Sequence, residues 1–75
     1  MASRIVYSFQ KNATEQVWVS MSEYKGKDYI DLRVYFQDDD GEYKPTKKGL
    51  ALSPHLLPEL EAAIMKLKEV LEDKQ

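Results

Sequence analysis

Residues 17–37 read VWVSMSEYKGKDYIDLRVYFQ, and this stretch decides the fold. Val17, Val19 and Met21 alternate with Trp18, Ser20 and Ser22, the period of two that a strand with one apolar face requires. Past Lys25-Gly26 the alternation resumes, with Ile30, Leu32 and Val34 on one face and Tyr29, Asp31, Arg33 and Tyr35 on the other. Glycine accepts the positive φ of a tight hairpin loop, so the pair predicts an antiparallel hairpin of strands 16–24 and 27–37. The face carrying Trp18, Ser20, Ser22 and Tyr24 is neither plainly core nor plainly solvated, and suits a binding surface.

Working downstream, Asp38 to Glu42 is an acidic turn containing Asp40-Gly41, a second hairpin signal. It predicts a fourth strand over 43–52, with Leu50 and Leu52 facing the core. Pro45 cannot donate to a ladder, which places this strand at an edge or makes its start irregular. Upstream, residues 5–10 alternate only loosely and form the first strand, joined by a turn at Asn12. Ser53-Pro54 signals a helix start, with serine as N-cap. Leu57, Leu60, Ile64, Leu67 and Leu71 then recur at spacings of three and four, predicting an amphipathic helix over 54–73, about 30 Å long. Pro58 removes a donor, so the first turn is irregular or the regular helix starts there. The expectation is one α+β domain spanning residues 1–75: a four-stranded antiparallel sheet, then one C-terminal helix covering one of its faces.

A chain of 75 residues buries little surface and needs a further source of stability. It has no cysteine, and His55 is its one histidine, so neither a disulfide nor a zinc site is expected. Oligomerisation remains. No apolar run approaches the roughly 18 residues of a membrane span, and the N-terminus lacks a secretory signal. The expected location is intracellular: cytoplasm or nucleoid in a bacterium or phage, nucleus in a eukaryote. An enzyme is not expected, because no metal cluster, nucleophile constellation or phosphate-binding glycine loop is present. No cofactor is implied. The Asp38–Asp40 run lacks calcium-loop spacing and reads as a solvated turn.

The net charge is −2, but its distribution is uneven. Four acidic groups crowd residues 38–42, while Lys44, Lys47 and Lys48 follow at once. A basic groove inside a mildly acidic protein is compatible with this pattern. Tyr24, Lys25, Lys27, Arg33, Phe36, Lys44, Lys47 and Lys48 combine cations with aromatic rings. Single-stranded nucleic acid offers phosphates and base faces, and holding it without reading sequence calls for those two residue types. Trp18 is a further stacking candidate. The same residues also fit a plainer reading, in which lysines keep hairpin tips and sheet edges soluble and the aromatics pack in the sheet.

The run Tyr24-Lys25-Gly26-Lys27, Ile30-Asp31-Leu32-Arg33, Tyr35-Phe36 resembles the central hairpin of the positive cofactor four family of transcriptional coactivators. Asp40-Gly41-Glu42, Lys44-Pro45, Lys47-Lys48-Gly49-Leu50 and Leu52, then Ser53-Pro54, continue the likeness in order, over residues 16–73 or so. The resemblance implies a curved sheet, a homodimer formed through the helices by Leu60, Ile64, Leu67 and Leu71, and grooves that bind single-stranded or melted DNA with little sequence preference. It implies roles in transcription regulation, DNA replication or recombination, with Tyr24 as the stacking aromatic at the hairpin tip. The lack of a long Ser-rich or Lys-rich N-terminal extension points to a bacterial or phage member.

Two departures stand out. Glu15 occupies a position that is basic in the family, and Phe36 one that carries tryptophan. Simple alternation also puts Arg33 and Phe36 on opposite faces, so both face DNA only if the strand is bulged or strongly twisted; otherwise Phe36 is a core residue. A protein-interaction module docking a polymerase or recombination factor, and a single-stranded RNA binder, are the competing readings. Nothing in the sequence reads a 2′-hydroxyl.

Overall fold

The computed structural model describes residues 2–74. Four strands, β1 (Ala2–Gln10), β2 (Glu15–Tyr24), β3 (Lys27–Gln37) and β4 (Tyr43–Leu52), form one antiparallel sheet in the order β1-β2-β3-β4. A 3-10 turn (Pro54–Leu56) leads into the helix α1 (Leu57–Asp73). The architecture is thus the expected α+β one, an open antiparallel sheet followed by a single helix.

The β2–β3 register runs unbroken from Glu15 opposite Phe36 to Tyr24 opposite Lys27. Directly opposed residues of an antiparallel pair share a face. One face therefore carries Val17, Val19 and Met21 of β2, Ile30, Leu32 and Val34 of β3, and Leu50 and Leu52 of β4. Tyr7 and Phe9 of β1 join it opposite Val19 and Val17. This is the apolar face. The other, the aromatic face, carries Trp18, Tyr29, Arg33, Tyr35 and Tyr43.

Register shifts at Ile5/Tyr7 and at Arg33/Tyr35 mark bulges in β1 and against β4, the device by which sheets bend. The first strand starts at Ala2, earlier than the loose alternation suggested. Backbone pairing to β2 holds it: Ser3 faces Ser22 and Arg4 faces Met21, whatever their polarity.

Two expectations about the helix are corrected. Ser53 makes no side-chain capping bond; its carbonyl oxygen accepts the Leu56 amide at 3.0 Å, closing the 3-10 turn. The regular helix starts at Leu57, and Pro58 falls within its first turn, where the missing donor has no intrahelical partner to lose. More importantly, α1 does not cover a sheet face. The helical segment meets the sheet chiefly through the 3-10 turn, against β3. Leu57 lines a shallow apolar depression with Val6, Val19, Met21 and Ile30, and no described residue of α1 is buried.

The consequence is an open molecule. Ile30, 7% exposed, is the one buried apolar residue among those described. The radius of gyration is 14.6 Å, against about 11 Å for a compact chain of this length.

Candidate nucleic-acid interface

At the β2–β3 tip, Lys25 (φ 52°) and Gly26 (φ 78°) both adopt positive φ, the signature of a type I′ two-residue loop. Such a loop matches the strand twist and holds Tyr24 directly opposite Lys27. Tyr24 is 49% exposed, and the Lys25 ammonium lies 5.4 Å from its ring centroid. The tip therefore presents an aromatic ring and two cations to solvent.

Further along the aromatic face, Trp18 stacks on Tyr35 with centroids 3.9 Å apart and planes 10° from parallel. Tyr43 approaches the indole at 6.4 Å, tilted by 43°. The Trp18 Nε1 donates to Gln16 Oε1 at 2.8 Å, so the indole is fixed both by stacking and by a hydrogen bond. Tyr35 and Tyr43 were not among the candidates named from sequence. Strand alternation already put Tyr35 on the face of Arg33; its pairing with Trp18 needs the diagonal across two strands.

Arg33 faces Trp18 across the β2–β3 ladder and is half-buried. Its guanidinium donates to Asp31 through Nε (3.1 Å) and Nη2 (2.9 Å), and to the Thr46 carbonyl oxygen through Nη1 (3.0 Å). Hydrogen bonding to Asp31 raises the guanidinium pKa further and keeps it charged. Arg33 thus braces β4 as well as contributing positive charge.

The brace closes an irregular segment. Arg33 pairs with Gly49 and Tyr35 with Pro45, so Thr46, Lys47 and Lys48 together face Val34. The Thr46 hydroxyl donates to the Val34 carbonyl oxygen at 2.8 Å and accepts the Lys48 amide at 3.1 Å. At Gly49 a Cβ would meet the Leu32 carbonyl oxygen at 2.5 Å and Arg33 Cα at 2.9 Å, a close approach that only glycine permits. Lys47 and Lys48 are both exposed on this bulge.

The bulge interrupts β4 and leaves β3 regular. Phe36 and Arg33 therefore stay on opposite faces. Phe36, 40% exposed, lies in a row with Glu15 and Lys44, at the end of the apolar face. Lys44 is paired with Asp38 at 3.0 Å. That hydrogen bond, with backbone amides of Glu42 and Asp40, holds the Asp38 carboxyl below its ordinary pKa. Of the sequence-named residues, the structure groups Tyr24, Lys27, Arg33 and Trp18 on one face, sets Lys25 at the tip and Lys47 and Lys48 on the bulge, and separates Phe36 and Lys44 from them.

Glu15, the acidic departure, is held by Asn12 Nδ2 (2.6 Å) and Lys11 Nζ (3.1 Å), which lower its pKa, with Lys48 adding to the effect through its charge. Its negative charge is compensated locally. On the helix, Leu60 is half-buried, whereas Ile64, Leu67 and Leu71 stand out from the protein, Ile64 at 47% and Leu67 at 61% exposure. Among the described residues no helix is long and apolar enough to cross a membrane.

The model of the family described as Transcriptional Coactivator p15 (PC4) matches residues 11–63. BPSL1147, a PC4 homologue from Burkholderia pseudomallei, is 28% identical, with a TM-score of 0.84 over 89% of this chain and 90% of its own. The bacteriophage T5 homologue of the eukaryotic coactivator, implicated in recombination-dependent DNA replication, is 25% identical, with a TM-score of 0.60 over 97% of this chain and 80% of its own. MoSub1, solved in complex with DNA, is 26% identical, with a TM-score of 0.64 over 92% and 85%. The matched segment contains the Lys25-Gly26 hairpin, the Arg33 brace, the Lys47-Lys48 bulge and the start of the helix, and on that match the chain belongs to the PC4 family of transcriptional coactivators.

Proposed function

We propose that this protein is a homodimer that holds single-stranded or melted DNA without reading its sequence, in transcription regulation or in DNA replication and recombination. The observation that carries the proposal is the aromatic face: an open, hydroxyl-rich and aromatic sheet surface with exposed lysines at the hairpin tip and again at the bulge. Counted along β3 from Lys27 to Val34, the two basic groups lie about 23 Å apart. Lys25, Lys27, Lys47 and Lys48 take phosphates, Arg33 adds fixed charge, and bases stack on Tyr24 and on the outer surface of the Trp18–Tyr35 pair. Phe36 and Lys44 belong to the same interface where a bound strand passes round the β4 edge. The DNA complex of MoSub1 and the implication of the phage T5 homologue in recombination-dependent DNA replication support this reading.

The dimer is supported by what one chain leaves open: the apolar sheet face and the stripe of Leu60, Ile64, Leu67 and Leu71. Pairing two copies through them supplies the core that a single chain lacks. On this reading the protein acts inside the cell, in cytoplasm or nucleoid for a bacterial or phage member and in the nucleus for a eukaryotic one.

The test is fluorescence anisotropy with a labelled oligo-dT of about 20 nucleotides at several salt concentrations, competed by duplex DNA and by RNA. Counterion release makes salt-sensitive binding the expected result, with duplex a poor competitor. RNA competing as well as DNA redirects the reading to single-stranded RNA. Absence of binding at low salt leaves a module that docks a polymerase or recombination protein.

A further inference from the structure

The lysines of the bulge are useful to a bound strand only where the bulge holds them, and three independent contacts fix its shape. Thr46 spends both functions of its hydroxyl there, donating to the Val34 carbonyl oxygen and accepting the Lys48 amide. Arg33 ties the Thr46 carbonyl to Asp31 on the neighbouring strand. Gly49 lets the chain return against Leu32 and Arg33 at a distance that excludes a Cβ. Without these bonds the extra residues of β4 have no ladder partners, and an unpaired bulge with two adjacent lysines samples many arrangements.

From this we infer that Thr46 is a positioning residue for nucleic-acid binding: its hydroxyl, with the Asp31–Arg33 pair, presents Lys47 and Lys48 as two preformed phosphate contacts. The inference rests on the single-strand reading above and adds a residue that carries no charge and touches no ligand. It separates a lysine that is merely present from a lysine that is held.

The experiment compares the unaltered protein with Thr46→Val, Thr46→Ala and Thr46→Ser, and with the double substitution Lys47→Ala/Lys48→Ala. Oligo-dT affinity is measured from low to high salt, and thermal unfolding is followed beside it. Each phosphate contact contributes about 0.7 to the slope of log affinity against log salt for single strands. The double lysine variant is expected to reduce the slope by about 1.4 and affinity at 0.1 M salt by about 25-fold. Thr46→Val and Thr46→Ala are expected to reduce the slope by about 0.7 and affinity by about fivefold, although every lysine remains. Thr46→Ser keeps the hydroxyl and is expected to restore the slope. Should the valine variant fail to fold, the alanine and serine pair carries the comparison.

A slope that follows the hydroxyl through the series supports the inference. Variants that lower the unfolding temperature yet keep the unaltered slope overturn it and leave Thr46 a structural residue only. Failure of the unaltered protein to bind oligo-dT overturns the single-strand reading, and this inference with it. Binding by the unaltered protein that is indifferent to the lysine pair overturns the inference alone.

Discussion

The two faces of the sheet have the same backbone and the same strand register, and differ in what satisfies them. On the aromatic face the side chains find partners within the chain: Trp18 lies on Tyr35 and bonds Gln16, and Arg33 is tied to Asp31 and Thr46. On the apolar face Ile30 is the one buried residue among those described; Val17, Val19, Met21, Leu32, Val34 and Leu52 stay half-buried, and the helix that follows β4 does not pack over them. Hydrophobic side chains gain only by leaving water, and this face keeps apolar surface that the described residues do not bury. The aromatic face is already ordered by contacts within one chain. Preorganisation of this kind lowers the entropic cost of binding.

The strongest way to break that comparison is to charge the helix stripe. Ile64→Asp with Leu67→Asp removes no buried contact within a protomer, because both residues are exposed. If two copies bury the stripe, the pair is nonetheless expected to cost roughly 3 kcal/mol or more per protomer, from the burial of two large aliphatic side chains. Sedimentation should then show monomer at micromolar concentration, and urea unfolding a much lower midpoint. An unchanged sedimentation coefficient and midpoint would place the interface elsewhere.

Tyr24→Ala probes the other side. Loss of one stacked base is expected to cost about 1–3 kcal/mol in oligo-dT affinity, with the salt slope little changed. Equal losses in affinity and slope would mean that the ring acts by positioning Lys25, which lies over it.

Phe36→Ala sharpens the division between faces. With Phe36 among the residues of the apolar side, its removal is expected to weaken oligo-dT binding by less than Tyr24→Ala does and to lower the unfolding midpoint more. A binding loss as large as that of Tyr24→Ala would show that the strand wraps the β4 edge and contacts both faces.

The smallest effect concerns acid. Asp38 and Glu15 both have pKa values lowered in the fold, Asp38 by Lys44 and backbone amides, Glu15 by Asn12 and Lys11. Depressed carboxylates contribute stability above their unfolded pKa, and that contribution is lost as pH falls through the folded value. Asp38→Asn should therefore lower the unfolding temperature slightly at neutral pH. The difference should close once the pH is below the carboxylate range; a gap that persists there would mean that the Asp38 contribution is not ionic.

Much of this was legible from local pattern. The period-two alternation of residues 17–36 set both faces, and Lys25-Gly26 set the turn between them, because each depends on adjacent φ angles alone. Tyr24, Lys27 and Arg33 fell together for the same reason. The Thr46–Lys48 bulge was not legible, since it exists only against Val34, twelve residues earlier. The division of Arg33 from Phe36 awaited knowledge of which strand bears the bulge.

The amino-acid sequence by itself determined the order of four strands and a helix, the residues of each face, and the presence of lysines beside aromatics. These follow from side-chain periodicity and turn chemistry, which act over a few residues. Tertiary structure alone decided that the helix leaves its own sheet uncovered, that Trp18 rests on Tyr35, and that Thr46 shapes the bulge of Lys47 and Lys48. Each of these depends on contacts between segments distant in the chain, whose geometry no local preference specifies.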